Sequence, residues 1–274
     1  MAGRSALETY KQGGAWWETD ISDIKKNEIT IRGKKVEDLI GNVSYTQMLF
    51  FLLVGEELSD QKAKLFESVL VAGADHGPRA PSIAAARMAA TCGVTFNSAV
   101  ATGVNMLGDV HGGAVEDSMA ILYDTKEAMN KGTGDVAQQL DEILGAGKKL
   151  PGFGHQLHDN DPRVKRLYEL SQSLIDDGEI TGDYLNILEQ YRQEISTRKN
   201  RTFTINVDGI SAAIQCELGI PAEAAKGIFA LSRGMGIVAH AYEELQKGTL
   251  IKGPCPNEEN LVRYTGKALV KEEE

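Results

Sequence analysis

The chain has 274 residues, a formal net charge of −10, 42% hydrophobic and 25% charged residues, and 6% aromatics. This balance fits a globular protein of one large domain or two modest ones. It excludes nucleic-acid binding as a main task, because a phosphate-backbone binder carries a basic face, while a few arginines in a cleft still suit anionic small molecules.

The N-terminal stretch Met1–Tyr10 is polar and lacks the apolar core of a secretory signal, and the longest apolar run, Met48–Val54, is much shorter than a membrane span. The expected location is the cytoplasm, with no membrane partner. Three cysteines lie far apart, with neither metal-ligand spacing nor a disulfide framework. Cys92 and Cys216 read as small apolar residues, and Cys255, between two prolines, as part of an exposed turn.

In chain order, Glu28–Val36 alternates around Gly33 and predicts a short hairpin at the edge of a helical body. Ser44 followed by Gln47 is a capping box before the run Met48–Val54. A second helix follows Ser59, burying Leu65, Phe66, Val69 and Leu70. After a break at Asp75–Pro78, helices are expected over Ser82–Ala90 and Asn97–Leu107. The next breaks are Gly108–Gly113 and Leu150–His155, flanking a helical pattern at Val136, Leu140, Ile143 and Leu144. Asp161-Pro162 is a strong helix start, since Asp caps and Pro suits the first helical position. Helices are expected from Pro162 to Ile175 and Asp183 to Ser196, then an Ala-rich one after Asp208-Gly209, and a last one from Pro221 towards Leu245. The charged tail after Gly266 is expected to fray, and the fold class is all-α.

Glycine breaks recur beside polar residues. His76, His111 and His155 each neighbour a glycine, and Asp208 is followed by one. Glycine lets backbone approach a ligand closely, and histidine moves protons near neutral pH. A core or capping histidine is the plain alternative for each one alone; the set favours catalysis. The chain carries no phosphate-cradling loop, no dinucleotide fingerprint and no nucleophile elbow. His155 and His158 have a His-x-x-His spacing without a completing carboxylate or cysteine set, so no metal is expected.

The blocks ADHGPRAP at Ala74–Pro81, LGDVHGGAVED at Leu107–Asp117, LPGFGH at Leu150–His155, DPR at Asp161–Arg163, INVDGI at Ile205–Ile210, LSRGMG at Leu231–Gly236 and RYTG at Arg263–Gly266 occur in one order. As a set they resemble the citrate synthase superfamily, especially its citryl-CoA lyases and the synthase-like module of ATP citrate lyase. The resemblance implies a large helical domain of residues 1–114 and 215–274, a smaller helical domain of 115–214, a closing cleft, and a homodimer or higher homo-oligomer. It implies that the substrates are a coenzyme A thioester and a di- or tricarboxylate, with no permanently bound cofactor.

By the same resemblance, His111 would hydrogen-bond the thioester oxygen, His155 would handle the proton of the hydroxyl or carbonyl oxygen, and Asp208 would exchange a proton with the acetyl carbon. His76, Arg163, Arg233 and Lys252 would meet substrate carboxylates, for which the arginine fork is well shaped; a helix-surface salt bridge is the alternative for Arg163. Coenzyme A would meet the backbone of Gly152, Phe153 and Gly154, and Arg198 and Lys199, which otherwise form a solvated basic turn. His240 reads as a helix-packing or interface residue.

The sequence departs from the family pattern in three places. The gap from His155 to Arg163 is one residue shorter than in many synthases, and Gln156 and His158 stand in a stretch that is often more basic. Lys252-Gly253-Pro254 replaces the usual Arg-Pro and supplies a charge without the fork. The compact length favours citryl-CoA cleavage to acetyl-CoA and oxaloacetate. Alternatives are cleavage of a related 3-hydroxyacyl-CoA such as citramalyl-CoA, synthase-type condensation, and a non-catalytic partner subunit.

Overall fold

A computed structural model describes residues 14–154, 161–258 and 261–267. They form a mostly helical protein with one small sheet near its N-terminus. Strands β1 (Ser22–Lys25), β2 (Glu28–Ile31) and β3 (Lys34–Lys35) pair antiparallel in sequence order. The β2–β3 pair is the expected hairpin, with Ile31 opposite Lys34. Strand β1 adds an edge that the sequence reading omits; its four residues are all exposed, so no apolar face marks it.

The helices are α1 (Val36–Leu39), α2 (Tyr45–Val54), α3 (Asp60–Gly73), α4 (Pro81–Thr91), α5 (Phe96–Val104), α6 (Ala114–Lys131), α7 (Val136–Gly145), α8 (Pro162–Asp176), α9 (Asp183–Lys199), α10 (Val207–Glu217) and α11 (Ala225–Lys247), the last preceded by a 3-10 turn at Ala222–Ala224. Helix α6 has no counterpart among the expected elements, although Val115, Met119 and Leu122 are its buried apolar positions at helical spacing. The capping box of α2 is formed on both sides: Ser44 Oγ accepts from the Gln47 N–H at 3.2 Å, and the Gln47 side chain accepts from the Ser44 N–H at 2.8 Å. Helix α8 begins as its sequence predicts, with the Asp161 carboxylate accepting from the Arg163 N–H at 3.0 Å.

The chain divides into two compact units, one of residues 1–72 and 114–226, the other of 73–113 and 227–274. These contact units have other bounds than the large and small domains expected from sequence. In the first, α10 is the central helix. It packs against α6, α8 and α9, and every residue from Gly209 to Cys216 is buried. Ala212 and Ala213 let the neighbouring helices close in without leaving voids. In the second unit, Ala80, Ile83 and Ala86 bury against Ile237 and Ala241, with Val100 and Val104 alongside. Cys216 is buried as expected and Cys255 exposed, but Cys92 is exposed, because it is the C-cap of α4 rather than part of its buried face. No helix among the described residues is long and apolar enough to cross a membrane.

The capping box makes a direct stability test. Ser44→Ala should lower unfolding free energy by about 1 kcal/mol, read from denaturant melts, whereas Ser44→Asp should retain most of the wild-type value.

Candidate active site

In the second unit, Pro81 and Ser82 open α4, and the turn Gly108–Gly112 carries His111. The His111 Nε2 atom lies 3.4 Å from the Ser82 backbone nitrogen and 3.0 Å from Ser82 Oγ. A backbone N–H only donates, so Nε2 accepts and the proton of the neutral ring resides on Nδ1. The first turn of a helix carries unsatisfied N–H groups and the positive end of its dipole, which oppose a second proton on the ring. Burial, followed by the nearby Arg233 guanidinium, pushes the His111 pKa below its ordinary value. His111 is therefore held as a neutral hydrogen-bond donor.

Arg233 is itself buried, at 5% exposure. Its Nε donates to the Gly73 carbonyl at 2.9 Å and its guanidinium lies 5.1 Å from the centre of the Phe229 ring. This cation–π contact, with the hydrogen bond to Gly73, restrains the position of the guanidinium. The structure thus brings His111 and Arg233 together.

His76 stands on an exposed turn. Asp75 shapes that turn by accepting from the Gly77 N–H at 3.1 Å, while His240 Nε2 lies 3.3 Å from the same carboxylate. Burial would raise the Asp75 pKa, but the Gly77 bond and the His240 contact outweigh it and hold the carboxyl below its ordinary value. His240 Nδ1 is also 3.0 Å from Arg87 Nη1, and Arg87 pairs with Glu243 at 2.7 Å and with the buried Glu244. His240 is thus a packing residue that ties α11 to the His76 turn and to α4.

Lys252 sits elsewhere. Its backbone N–H donates to Thr91 Oγ1 at 3.0 Å, at the C-terminal end of α4. Ser82 and His111 mark the other end, about 14 Å away along the helix at 1.5 Å per residue. The exposed Lys252 ammonium is 4.0 Å from Glu244. Within one chain, Lys252 does not join His111 and Arg233.

In the first unit, Asn206 holds the Asp208 segment. Its side-chain oxygen accepts from the N–H groups of Asp208 at 2.9 Å and Gly209 at 3.1 Å, capping α10. Its side-chain amide donates to the Gly154 carbonyl at 2.9 Å, and its backbone N–H donates to the Gly152 carbonyl at 3.0 Å. The Gly154 N–H donates to the Thr204 carbonyl at 2.8 Å. One residue thus clamps the Gly152-Phe153-Gly154 loop to the first turn of α10, where Asp208 lies.

The clamp needs two glycines. Gly152 has φ +85°, and a Cβ there would lie 2.8 Å from Gly209 Cα; a Cβ on Gly209 would lie 2.4 Å from the Gly152 carbonyl oxygen. Backbone touches backbone, and no side chain fits.

Arg163 and Arg198 are committed to protein partners. Arg163 Nη2 donates to Asp161 at 2.7 Å, its Nε to the same carboxylate at 3.0 Å, and its Nη1 to the Ala72 carbonyl at 3.2 Å. Arg198 pairs with Asp141 and, at 2.8 Å, with Glu194, and it donates to the Ala137 carbonyl at 2.9 Å. It therefore ties α9 to α7, while the adjacent Lys199 is exposed. His155 and His158 lie outside the described residues. Among the described residues, no three His, Cys, Asp or Glu side chains gather as a metal site.

The sequence does not show that Ser82, Asn206 and Asp75 position the named residues, and it shows Asp161 as a helix cap but not as the partner of the Arg163 side chain. Asn206 had a visible signal, because Asn two residues before an acidic first turn is a capping pattern. Ser82 had none, since its partner is 29 residues away.

The fold is that of the citrate synthase-like helical proteins. The family described as citrate synthase, C-terminal domain, matches residues 54–253, and the chain belongs to that family. Among solved structures, citryl-CoA lyase from Hydrogenobacter thermophilus is 36% identical with a TM-score of 0.83, covering 93% of this chain and 96% of that one. ATP citrate lyase from Methanothrix soehngenii, in complex with citrate and coenzyme A, shares the fold at 22% identity and a TM-score of 0.78, over 97% of this chain and 45% of that one. The citrate synthase of Haloferax volcanii is 29% identical over 230 residues, which is 82% of this chain and 56% of that protein. Bacillus subtilis citrate synthase 2 is 30% identical over 233 residues, 85% of this chain and 59% of that protein. The chain spans a little over half the length of these two relatives.

Two tests follow from the geometry. A histidine whose pKa is depressed on folding adds stability that is present above its unfolded value of about 6.5 and is lost as the pH falls through the lower folded value. Wild-type stability should therefore drop more steeply than that of His111→Asn between about pH 7.5 and about pH 5; parallel curves would remove the argument for a held neutral ring. Gly209→Ala should cost about 1–3 kcal/mol through overpacking against the Gly152 carbonyl, seen as a lower midpoint in thermal melts.

Proposed function

We propose that this chain is a citryl-CoA lyase that cleaves citryl-CoA to acetyl-CoA and oxaloacetate. The observation that carries the reading is the end-to-end likeness to the Hydrogenobacter thermophilus citryl-CoA lyase, which covers 93% of this chain and 96% of that one at 36% identity. The local settings of His111 and of Asp208, each within its own unit, support it, because enolate chemistry needs a neutral donor for the thioester oxygen and a carboxyl group for the carbon.

In this scheme His155 removes the proton of the citryl hydroxyl. The oxygen collapses to a ketone, the adjacent carbon–carbon bond breaks, and its electron pair moves into the thioester. His111 Nδ1–H holds the enolate oxygen so formed, and protonated Asp208 delivers its proton to the terminal carbon. Acetyl-CoA and oxaloacetate leave, and solvent returns the His155 proton to Asp208. His76, Arg163 and Arg233 are proposed carboxylate contacts, with Arg163 exchanging its Asp161 partner for substrate; Lys252, which does not join them within one chain, would serve from across a dimer interface. The backbone of Gly152, Phe153 and Gly154 is assigned to coenzyme A, together with Arg198 and Lys199; of that pair, Lys199 is the exposed one. We place the protein in the cytoplasm as a homo-oligomer, with a closing cleft between the domain of residues 1–114 and 215–274 and that of 115–214.

Condensation to citrate is the second reading, favoured by relatives named citrate synthase. The same groups serve both directions. An assay of acetyl-CoA release from citryl-CoA and citramalyl-CoA, run beside the condensation of acetyl-CoA with oxaloacetate, separates the readings. Turnover of citryl-CoA is expected; turnover of citramalyl-CoA alone, or condensation alone with no cleavage of added citryl-CoA, overturns the lyase assignment. Asp208→Asn should lower kcat by about 10²–10⁴ while the fold is kept, and an unchanged kcat would remove Asp208 from the chemistry.

A further inference from the structure

Helix α11 holds the segment before His76 in register, residue by residue. Arg233 Nε donates to the Gly73 carbonyl at 2.9 Å. The Gly236 N–H donates to the Ala74 carbonyl at 3.2 Å, and His240 Nε2 lies 3.3 Å from the Asp75 carboxylate. These three helix residues are spaced three and four apart, so they share one face. That face meets three consecutive residues of the segment, and His76 is the next. The approach leaves no room for a side chain: a Cβ on Gly236 would lie 2.3 Å from the Ala74 carbonyl oxygen and 3.1 Å from Asp75 Oδ1.

The contact at His240 has a direction. Arg87 Nη1 lies 3.0 Å from His240 Nδ1. A guanidinium only donates, so Nδ1 accepts, and the ring proton is on Nε2, facing Asp75. Glu243 also lies 3.9 Å from Nδ1, beyond hydrogen-bond reach. Arg87 is held in turn by Glu243 at 2.7 Å and by Glu244, whose side chain is 1% exposed. From the other side, Asp75 accepts from the Gly77 N–H at 3.1 Å and is bonded by the His76 backbone. Donors thus converge on one carboxylate, the His240 ring from the helix and two N–H groups from the turn. Packing alone does not call for this arrangement. An apolar side chain would fill the place of His240, whereas drawing Arg87 and Glu244 out of water costs free energy that only well-matched partners offset.

We propose that His240 is a positioning residue: its Nε2–H orients the Asp75 carboxylate, and Asp75 fixes the His76 turn relative to Arg233 on the same helix face. His76 stands on an exposed turn, and a side chain there binds well only if its backbone is held before the substrate arrives. His76 and Arg233 are both assigned to substrate carboxylates, so the distance between them selects the spacing of anionic groups that fits. His240 therefore acts on binding of the polycarboxylate half of the substrate without touching it. The inference rests on the lyase reading for what His76 holds.

The test is steady-state kinetics on citryl-CoA with the wild type, His240→Leu and His240→Gln, each also in a His76→Ala background. His240→Leu should raise KM about tenfold, the worth of one charge-assisted hydrogen bond, with kcat kept within about twofold. His240→Gln keeps an N–H for Asp75 and should restore most of the wild-type KM. In the His76→Ala background, His240→Leu should change KM no further, because the effect passes through His76. An unchanged KM in His240→Leu, a further rise of the same size without His76, or a His240→Gln no better than His240→Leu overturns the inference. Ring ¹⁵N shifts of the wild type, which need no variant to fold, should place the His240 proton on Nε2; a proton on Nδ1 overturns it too. The backbone amide resonances of His76 and Gly77, read without substrate, should move in His240→Leu and return in His240→Gln. Absence of citryl-CoA turnover by the wild type overturns the lyase reading, and those resonances then decide the positioning by themselves: unmoved resonances overturn it.

Discussion

The backbone N–H of Ser82, in the first turn of α4, sets the protonation state of His111, and the chemistry proposed for this protein depends on that one contact. An imidazole in water gains a proton near pH 6.5 and can take either neutral tautomer. Here Nε2 faces an obligate donor at a helix N-terminus, so the ring keeps one proton, on Nδ1. The buried Arg233 guanidinium adds a fixed positive charge that disfavours a second one. A neutral donor strengthens its hydrogen bond as negative charge grows on the thioester oxygen, and it does so without having to reorganise. That difference between ground state and transition state is what accelerates a reaction.

The first unit reaches a similar end by a different route. Asp208 also occupies the first turn of a helix, but its position comes from Asn206, which caps α10 and holds the Gly152–Gly154 loop in the same set of hydrogen bonds. The bare contact between Gly152 and Gly209 leaves the loop and helix little freedom to slide. Helix α10 is buried over Gly209–Cys216, so the backbone that carries Asp208 continues directly into the core of its unit. The residues proposed for the chemistry in each unit thus sit beside helix starts, where backbone donors are unsatisfied and direction is fixed.

Much of this was legible before the structure. The capping signals at Ser44 and Asp161, and Pro162 at a helix start, rest on local chemistry, and the structure has them as expected. Helix α6 was readable from Val115, Met119 and Leu122 but lies behind a glycine-rich break that draws attention to His111. Strand β1 has no buried face and so leaves no alternation to read. The commitments of Arg163 to Asp161 and of Arg198 to Asp141 and Glu194 were not legible as geometry, because a sequence shows a charge but not which neighbour holds it. The same holds for Ser82, whose role exists only once two distant segments meet. Motif blocks pointed to the residues, and tertiary contacts supply their states.

The protonation form of the His111 ring is tested most directly by ¹⁵N chemical shifts of histidine-labelled protein near neutral pH, with the His111 signals assigned by comparison with His111→Asn. A neutral ring is predicted, with the protonated-nitrogen shift on Nδ1 and the bare-nitrogen shift on Nε2. Protonated shifts on both nitrogens, or a proton on Nε2, would contradict it.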